Sequence, residues 1–211
     1  MTSIFFDLDG TLTDPKTGIV GSVQYALNKL GIDDIPEDLD WVIGPPLQES
    51  AAKLAGDARK DELVAAYRER YSRDGLFENS VYNGIPDMLE ELQKAGNALF
   101  VATSKPHPFA NQILEHFDLS RYFVKVFGAE LDGTRSNKAE LLAHALDVSG
   151  SDARSSIMVG DRKHDILGAK ANGMKSVGVL WGYGGEDELR EAGADEIASI
   201  IGSLPSLFSS M

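Results

Sequence analysis

Cysteine is absent from the 211 residues, which excludes disulfides, thiolate nucleophiles and cysteine-ligated zinc. The absence fits a reducing compartment, and a cytoplasmic protein is expected. Positive charge is scarce: 20 Lys and Arg face 33 Asp and Glu, a formal net charge of −13, and no basic run interrupts the pattern. Such a chain repels phosphate backbones and anionic lipid surfaces, so nucleic acid polymers and membranes are not expected partners. An anionic ligand would have to be drawn in by a few focused cations, by helix N-termini or by a bound divalent metal. No stretch approaches the ~20 apolar residues that cross a bilayer. The first ten residues turn acidic after an apolar run too short for a signal peptide or anchor. His107, His116, His144 and His164 lack the spacing of a metal-ligand set. There is no internal repeat, and oligomeric state has no signature here.

What is present is a core-forming composition, 43% hydrophobic with charge spread throughout, which speaks against global disorder. Short apolar runs bounded by turn formers read as buried strands at Ile4 to Phe6, Ala98 to Ala102, Phe123 to Phe127, Ser156 to Val159 and Ser176 to Leu180. Between them, apolar residues recur at three and four over Ile85 to Ala95, Phe109 to Phe117, Lys138 to Leu146 and Ile166 to Ala171, the period of amphipathic helices. Strands alternating with helices imply an α/β fold, a doubly wound (Rossmann-like) parallel sheet covered on both faces. One interval breaks the rhythm. Helical patterns at Ile19 to Leu30, Leu47 to Leu54 and Leu63 to Tyr71 follow one another without a strand. They are flanked by the turn-rich segments Asp14-Pro15-Lys16-Thr17-Gly18 and Tyr82-Asn83-Gly84. The expectation is a core domain of residues 1–14 and 83–211 with an inserted α-helical cap domain at 15–82, its two crossings side by side as a hinge.

Ligands of open parallel sheets bind beyond the carboxyl ends of the strands. That rule selects Asp7 and Asp9, Thr103 and Ser104, the Gly128 to Asp132 loop, Asp161, and Trp181-Gly182. Asp7 and Asp9 are two apart, so extended geometry aims both carboxylates to the same side, and Gly10 permits a sharp turn after them. Either carboxylate could instead simply cap a strand or helix.

Phe5-Phe6-Asp7-Leu8-Asp9-Gly10-Thr11-Leu12, directly after the first apolar run, resembles the first signature of the haloacid dehalogenase superfamily. The other signatures follow in order over nearly the whole chain. Val101-Ala102-Thr103-Ser104 matches the Thr or Ser that ends the second strand, Lys138 the lysine, and Gly160-Asp161-Arg162-Lys163-His164-Asp165 the Gly-Asp with a second Asp four residues on. Lys105 is the rival lysine, with Lys163 also nearby. Lys138 is preferred because it opens a helix shortly after the third core strand.

The resemblance implies a phosphatase acting on a small phosphorylated metabolite with Mg²⁺. Asp7 would attack phosphorus to form an aspartyl-phosphate. Asp9 would protonate the leaving alkoxide and then deprotonate the hydrolytic water. Thr103 and the amide of Ser104 would hold the phosphoryl oxygens and Lys138 would offset their charge. The Asp7 side chain, the Asp9 backbone carbonyl and Asp161 would hold the metal, with Asp165 orienting a bound water or ligand. The insert resembles the helical cap of the branch containing phosphoglycolate phosphatases and 5′-nucleotidase-like enzymes, with Ile43-Gly44-Pro45-Pro46-Leu47 as a specificity loop or a plain helix start. A β-phosphoglucomutase-type phosphomutase is the near alternative. A phosphonate-cleaving relative would need a cap lysine, for which Lys29, Lys53 and Lys60 are available. Dehalogenation needs no second carboxylate at position 9, and a phospho-acceptor signalling domain would lack the insert. Trp41 and Trp181 are expected to pack, Trp181 near the cleft.

Overall fold

Ile4, Phe5 and Phe6 are fully buried, as a continuous apolar run must be in a strand covered on both faces. The computed structural model describes residues 2–211, so residue 1 of the expected core segment lies outside the described residues. Strand β1 (Ser3–Phe6) sends alternate side chains to opposite faces. Phe5 stacks on Phe100 with ring centroids 4.8 Å apart and joins Phe127, Leu141, Leu142 and Met158. Ile4 and Phe6 join the larger cluster on the other face, with Leu89, Val101 and Ile113. This period of two is the geometric consequence of extended backbone.

The remaining core elements are α4 (Ile85–Lys94), β4 (Ala98–Pro106), α5 (His107–His116), β5 (Lys125–Ala129), α6 (Lys138–Ser149), β6 (Ser156–Gly160), α7 (Lys163–Ala171), β7 (Lys175–Val179), α8 (Glu186–Ala192), β8 (Glu196–Ala198) and α9 (Leu204–Ser210). The sheet has six strands in the order β5-β4-β1-β6-β7-β8, and every neighbouring pair is parallel. The chain winds outward from β1 through β4 to β5, then returns to its other side through β6, β7 and β8. The Rossmann-like α/β expectation is met, and the carboxyl ends of β1, β4 and β6 lie side by side where the winding reverses, the usual place for a ligand crevice.

A two-stranded antiparallel ribbon, β2 (Thr13–Asp14) with β3 (Ser80–Val81), brackets the helical segment. Between them lie α1 (Lys16–Lys29), α2 (Leu47–Ala55), α3 (Lys60–Arg70) and a π-helical turn at Tyr71–Gly75. Their buried residues, among them Val23, Leu27, Leu63 and Tyr67, are continuous with the cluster holding Ile4 and Phe6. Helix α1 and the π turn meet backbone to backbone. A Cβ on Gly18 would lie 2.0 Å from the Gly75 carbonyl oxygen, and one on Gly75 2.7 Å from Ser22 Oγ. Only glycine permits that approach, which ties the end of the π turn to α1.

Three local expectations differ from the structure. Strand β5 begins at Lys125, because Phe123 and Val124 follow a 3₁₀ turn at Ser120–Tyr122 and Val124 is largely exposed. Strand β4 continues past Ala102 to Pro106 with a register shift between Thr103 and Pro106. Edge strand β8 and the ribbon were not anticipated, both being too short to carry a periodic signal.

Candidate active site

Asp7 leaves β1 on the line of the strand, its N–H donating to the Val159 carbonyl of β6 at 2.9 Å, and its own Oδ1 accepts from Leu8 N at 2.8 Å. The chain then turns at Gly10, where φ is +82°. A Cβ there would stand 2.2 Å from Asp161 Oδ2. Glycine is thus required twice over, by the left-handed backbone and by the carboxylate pressed against it. Asp161 follows β6 and is 0% exposed. Its Oδ2 accepts from Tyr183 N at 2.8 Å, and its Oδ1 from Thr11 Oγ1 at 3.4 Å. Asp165, in the first turn of α7, accepts from Arg162 N at 3.2 Å.

These three side chains converge: carboxylate oxygens of Asp7, Asp161 and Asp165 lie within 4.8 Å of one another, all buried. One ammonium enters the group. Lys138, at the start of α6 and 5% exposed, sits 3.1 Å from Asp7 Oδ1 and 2.7 Å from Asp165 Oδ1, and its Nζ donates to the Ala102 carbonyl at 2.9 Å. Beside them Asp9 pairs with Lys105, both nearly buried. Counted as ionised, the four carboxylates and two ammonium groups leave a formal excess of two negative charges in a buried space. The titration behaviour follows. Burial, then the charges of Asp165 and Asp7, push the Asp161 carboxyl well above the usual range. Burial lifts Asp165 to about 6, with Lys138 opposing and Asp7 reinforcing. Burial also raises Asp9, with Lys105 only partly offsetting it. Burial opposes the charge on Lys138, but Asp165 and Asp7 outweigh it and hold the ammonium above its ordinary range.

An all-oxygen donor set with a residual charge of minus two fits a hard divalent cation. Glycines complete the cradle, since a Cβ on Gly182 would come within 2.4 Å of Asp161 Oδ2 and one on Gly184 within 1.8 Å of the Asp161 carbonyl. The loop carrying them grips the segment after Asp9 at two further points. Trp181 Nε1 donates to the Thr11 carbonyl at 3.0 Å, and Tyr183 Oη donates to Asp14. Trp181 and Gly182 are selected in the sequence as residues directly after an apolar run, whereas Tyr183 and Gly184 carry no signal beyond the Gly-rich composition of the stretch.

A cleft opens above Asp7 and Asp9, between the core loops and the helical segment, also lined by Thr103, Ser104 and Lys105. Thr103 is buried and its Oγ1 accepts from Lys105 N at 3.2 Å. Ser104 Oγ donates to the Ser136 carbonyl at 2.9 Å, so the hydroxyl is engaged by the neighbouring loop. Gly44, Pro45, Pro46 and Leu47 also reach the cleft. Their turn is held from the core side by Arg162, which donates to the Ile43 carbonyl while pairing with Glu188 at 2.9 Å. Across the cleft Arg68 Nη2 donates to the Leu131 carbonyl at 2.7 Å. The lysines considered for phosphonate chemistry are elsewhere. Lys29 pairs with Glu69, Lys60 with Asp57 at 3.2 Å, and Lys53 lies 5.5 Å over the Trp41 ring; none lines the cleft. No histidine belongs to the carboxylate cluster, and His107 instead shares a hydrogen bond with Asn111 at 2.9 Å.

The family model for haloacid dehalogenase-like hydrolases matches residues 4–179. A 5′-nucleotidase from Pseudomonas aeruginosa is 52% identical over 192 residues, 89% of this chain and 86% of that protein. The tyrosine-protein kinase PtkA of Mycobacterium tuberculosis is 44% identical over 87% of this chain, which spans 64% of that relative's length. Among solved structures, a predicted phosphatase from Clostridium acetobutylicum superposes with a TM-score of 0.95 at 39% identity, covering 100% of this chain and 99% of that one.

Proposed function

The chain belongs to the haloacid dehalogenase-like hydrolase family, and on that premise we propose that it is a Mg²⁺-dependent phosphatase that hydrolyses small phosphate monoesters through an aspartyl-phosphate on Asp7. The observation that carries the reading is the meeting of Asp7, Asp161 and Asp165 around the Lys138 ammonium at the carboxyl end of the central strand. Mg²⁺ would be held by the side chains of Asp7 and Asp161 and the backbone carbonyl of Asp9, with Asp165 orienting its water. When bound it supplies the positive charge that lets an anionic nucleophile approach an anionic phosphoryl group.

The chain's own groups account for the rest. The Asp7 carboxylate forms a bond to phosphorus as the bond to the ester oxygen breaks. Asp9, whose carboxyl burial holds above its ordinary range, acts in its protonated form and gives that proton to the departing alkoxide. It then takes a proton from water, which attacks the acyl phosphate, releases inorganic phosphate and restores the Asp7 carboxylate. Thr103 and the Ser104 amide hold the phosphoryl oxygens where the register of β4 shifts, and Lys138 offsets their charge. Residues 15–82 act as a cap that excludes water and contacts the leaving group, and the β2/β3 ribbon is its hinge. The alternative outcomes are a phosphomutase, in which the phosphoenzyme outlives attack by water, and phosphorylation of a protein hydroxyl, which the name of the mycobacterial relative raises.

Inorganic phosphate release from para-nitrophenyl phosphate and from a panel of 5′-mononucleotides and phosphoglycolate tests the reading. Activity is expected with Mg²⁺ and absent with EDTA. Equal activity in EDTA, or phosphate passing only to an added sugar phosphate or protein, would reject it. The cradle gives a second test. Gly10→Ala puts a methyl group where the Asp161 carboxylate lies, so half-maximal activation should need about tenfold or more Mg²⁺. An unchanged Mg²⁺ titration would show that Asp161 is not in the metal site.

A further inference from the structure

Tyr71 is the first residue of the π-helical turn and lines the cleft. It is 2% exposed, yet its hydroxyl has no hydrogen-bond partner among the described residues. A buried hydroxyl left unpaired destabilises a fold, and π-helical turns recur at functional sites. Charged groups of the core stand beside the ring. Lys105 Nζ, paired with Asp9, lies 5.1 Å over the Tyr71 ring, and Asp9 Oδ1 is likewise buried without a partner. The Asp9 charge adds to burial in pushing the Tyr71 ionisation well above its usual range. A hydrogen-bond donor from the helical segment and a carboxylate oxygen from the core thus belong to residues that line the same cleft, and neither has a partner among the described residues.

The walls beyond them are flat and apolar. Tyr67 stacks on Tyr71 with centroids 5.1 Å apart and planes 13° from parallel. Phe109 meets Tyr71 edge-on at 5.7 Å, and Ile19, Val23 and Val42 continue the lining. Of the cations lining this cleft, Lys105 is paired with Asp9, while Arg68 keeps its charge and donates to the Leu131 carbonyl. A two-carbon carboxylate offers too little surface to bury against these walls. A ring-bearing leaving group would find both an apolar wall and a hydroxyl to meet its polar end.

We infer that Tyr71 is a specificity-determining residue supplied by the helical segment, whose hydroxyl donates to the leaving group of a ring-bearing phosphate monoester near the ester oxygen while Tyr67 and Phe109 pack against its ring. The inference rests on the phosphatase reading and narrows its substrate class to nucleoside or aryl phosphates, against short carboxylate phosphates. The hydroxyl is kept at a cost to stability because it serves the ligand.

Two paired measurements test it. In turnover, the protein should favour a 5′-mononucleotide or para-nitrophenyl phosphate over phosphoglycolate by about tenfold or more in kcat/KM, the two ring substrates separating nucleoside from aryl recognition. Tyr71→Phe should shrink that ratio about fivefold or more, the loss expected when one hydrogen bond to substrate is removed. Its Tm should stay level or rise by about 2–4 °C, because an unpaired buried hydroxyl has gone. A hydroxyl with a structural role would instead lower Tm. On an Asp7→Asn background, calorimetry with Mg²⁺ and the same three compounds reads the preference as binding, and adding Tyr71→Phe should weaken the ring ligands about fivefold or more. Turnover without ring preference, an unchanged ratio in Tyr71→Phe, or a drop in Tm would overturn the inference while leaving the phosphatase reading intact. Ring-selective binding without phosphate release would do the reverse.

Discussion

Asp7→Asn should lose about 10⁴-fold or more in kcat while remaining folded. Asparagine keeps the shape of the side chain and can still accept from Leu8 N, so the loop after β1 has no reason to move. What it lacks is a carboxylate able to form a bond to phosphorus, and removing a covalent nucleophile from an otherwise intact site costs losses of roughly this order. Stability should be level or slightly higher, because one negative charge leaves a buried group that holds two in excess. The measurement is phosphate release at saturating substrate beside urea denaturation of the same preparation. Residual activity above about 1% of the parent, far outside the expected loss, would show that Asp7 is not the attacking group. A large fall in denaturation midpoint would show that its main contribution is to the fold.

Lys138→Met is the second large effect, and it should damage both stability and activity. The ammonium is buried between Asp7 and Asp165, and methionine fills a similar volume with no charge. Removing one partner of a buried ion pair costs about 3–5 kcal/mol, because the other is left without compensation, and here two carboxylates lose the same partner. Urea denaturation should therefore show a loss of that size in metal-free buffer. Mg²⁺ should restore part of it, since a dication binding only the folded state stabilises by mass action. Activity should fall about 10²–10³-fold even at saturating Mg²⁺, as when a preorganised charge partner of the transition state is removed. Lys105→Met should be milder in stability, since among the described residues Lys105 pairs with one carboxylate, Asp9, where Lys138 pairs with two. Equal losses in the two variants would contradict the assignment of Lys138 as the central cation.

Those two lysines also mark how far the sequence could be read. Asp7, Asp9, Thr103 and Asp161 were legible because each stands at or just after the end of an apolar run, whereas Lys138 and Asp165 were legible only through the resemblance to the family's signatures. A parallel sheet brings strand ends together whatever fills the intervening chain. The preference for Lys138 over Lys105 rested on its place at a helix start, and the ion pairs with Asp7 and Asp165 give that preference a physical basis. Lys105 is nonetheless in the same cleft, one side chain away from Asp9. Its partner could not be read from a linear sequence, because the register shift between Thr103 and Pro106 decides where it points.

The contacts that link the helical segment to the core were less legible. Arg162 to Ile43 and Arg68 to Leu131 join residues far apart in the chain and follow no period. Tyr71 falls at the end of an apolar helical pattern and reads there as one more packing residue. The π turn that it opens carries its ring beside Lys105. Short elements such as β8 fail for a related reason, since a strand of three residues, Glu196–Ala198, is too brief to display alternation.

The most direct measurement is chemical trapping of the phosphorylated protein during turnover. Borohydride reduces an aspartyl-phosphate to homoserine, and peptide mass mapping locates the change. Reduction at position 7, dependent on Mg²⁺ and on substrate and absent from Asp7→Asn, is the predicted result. Modification at another residue, or continued turnover with no trapped residue at position 7, would contradict covalent transfer to Asp7.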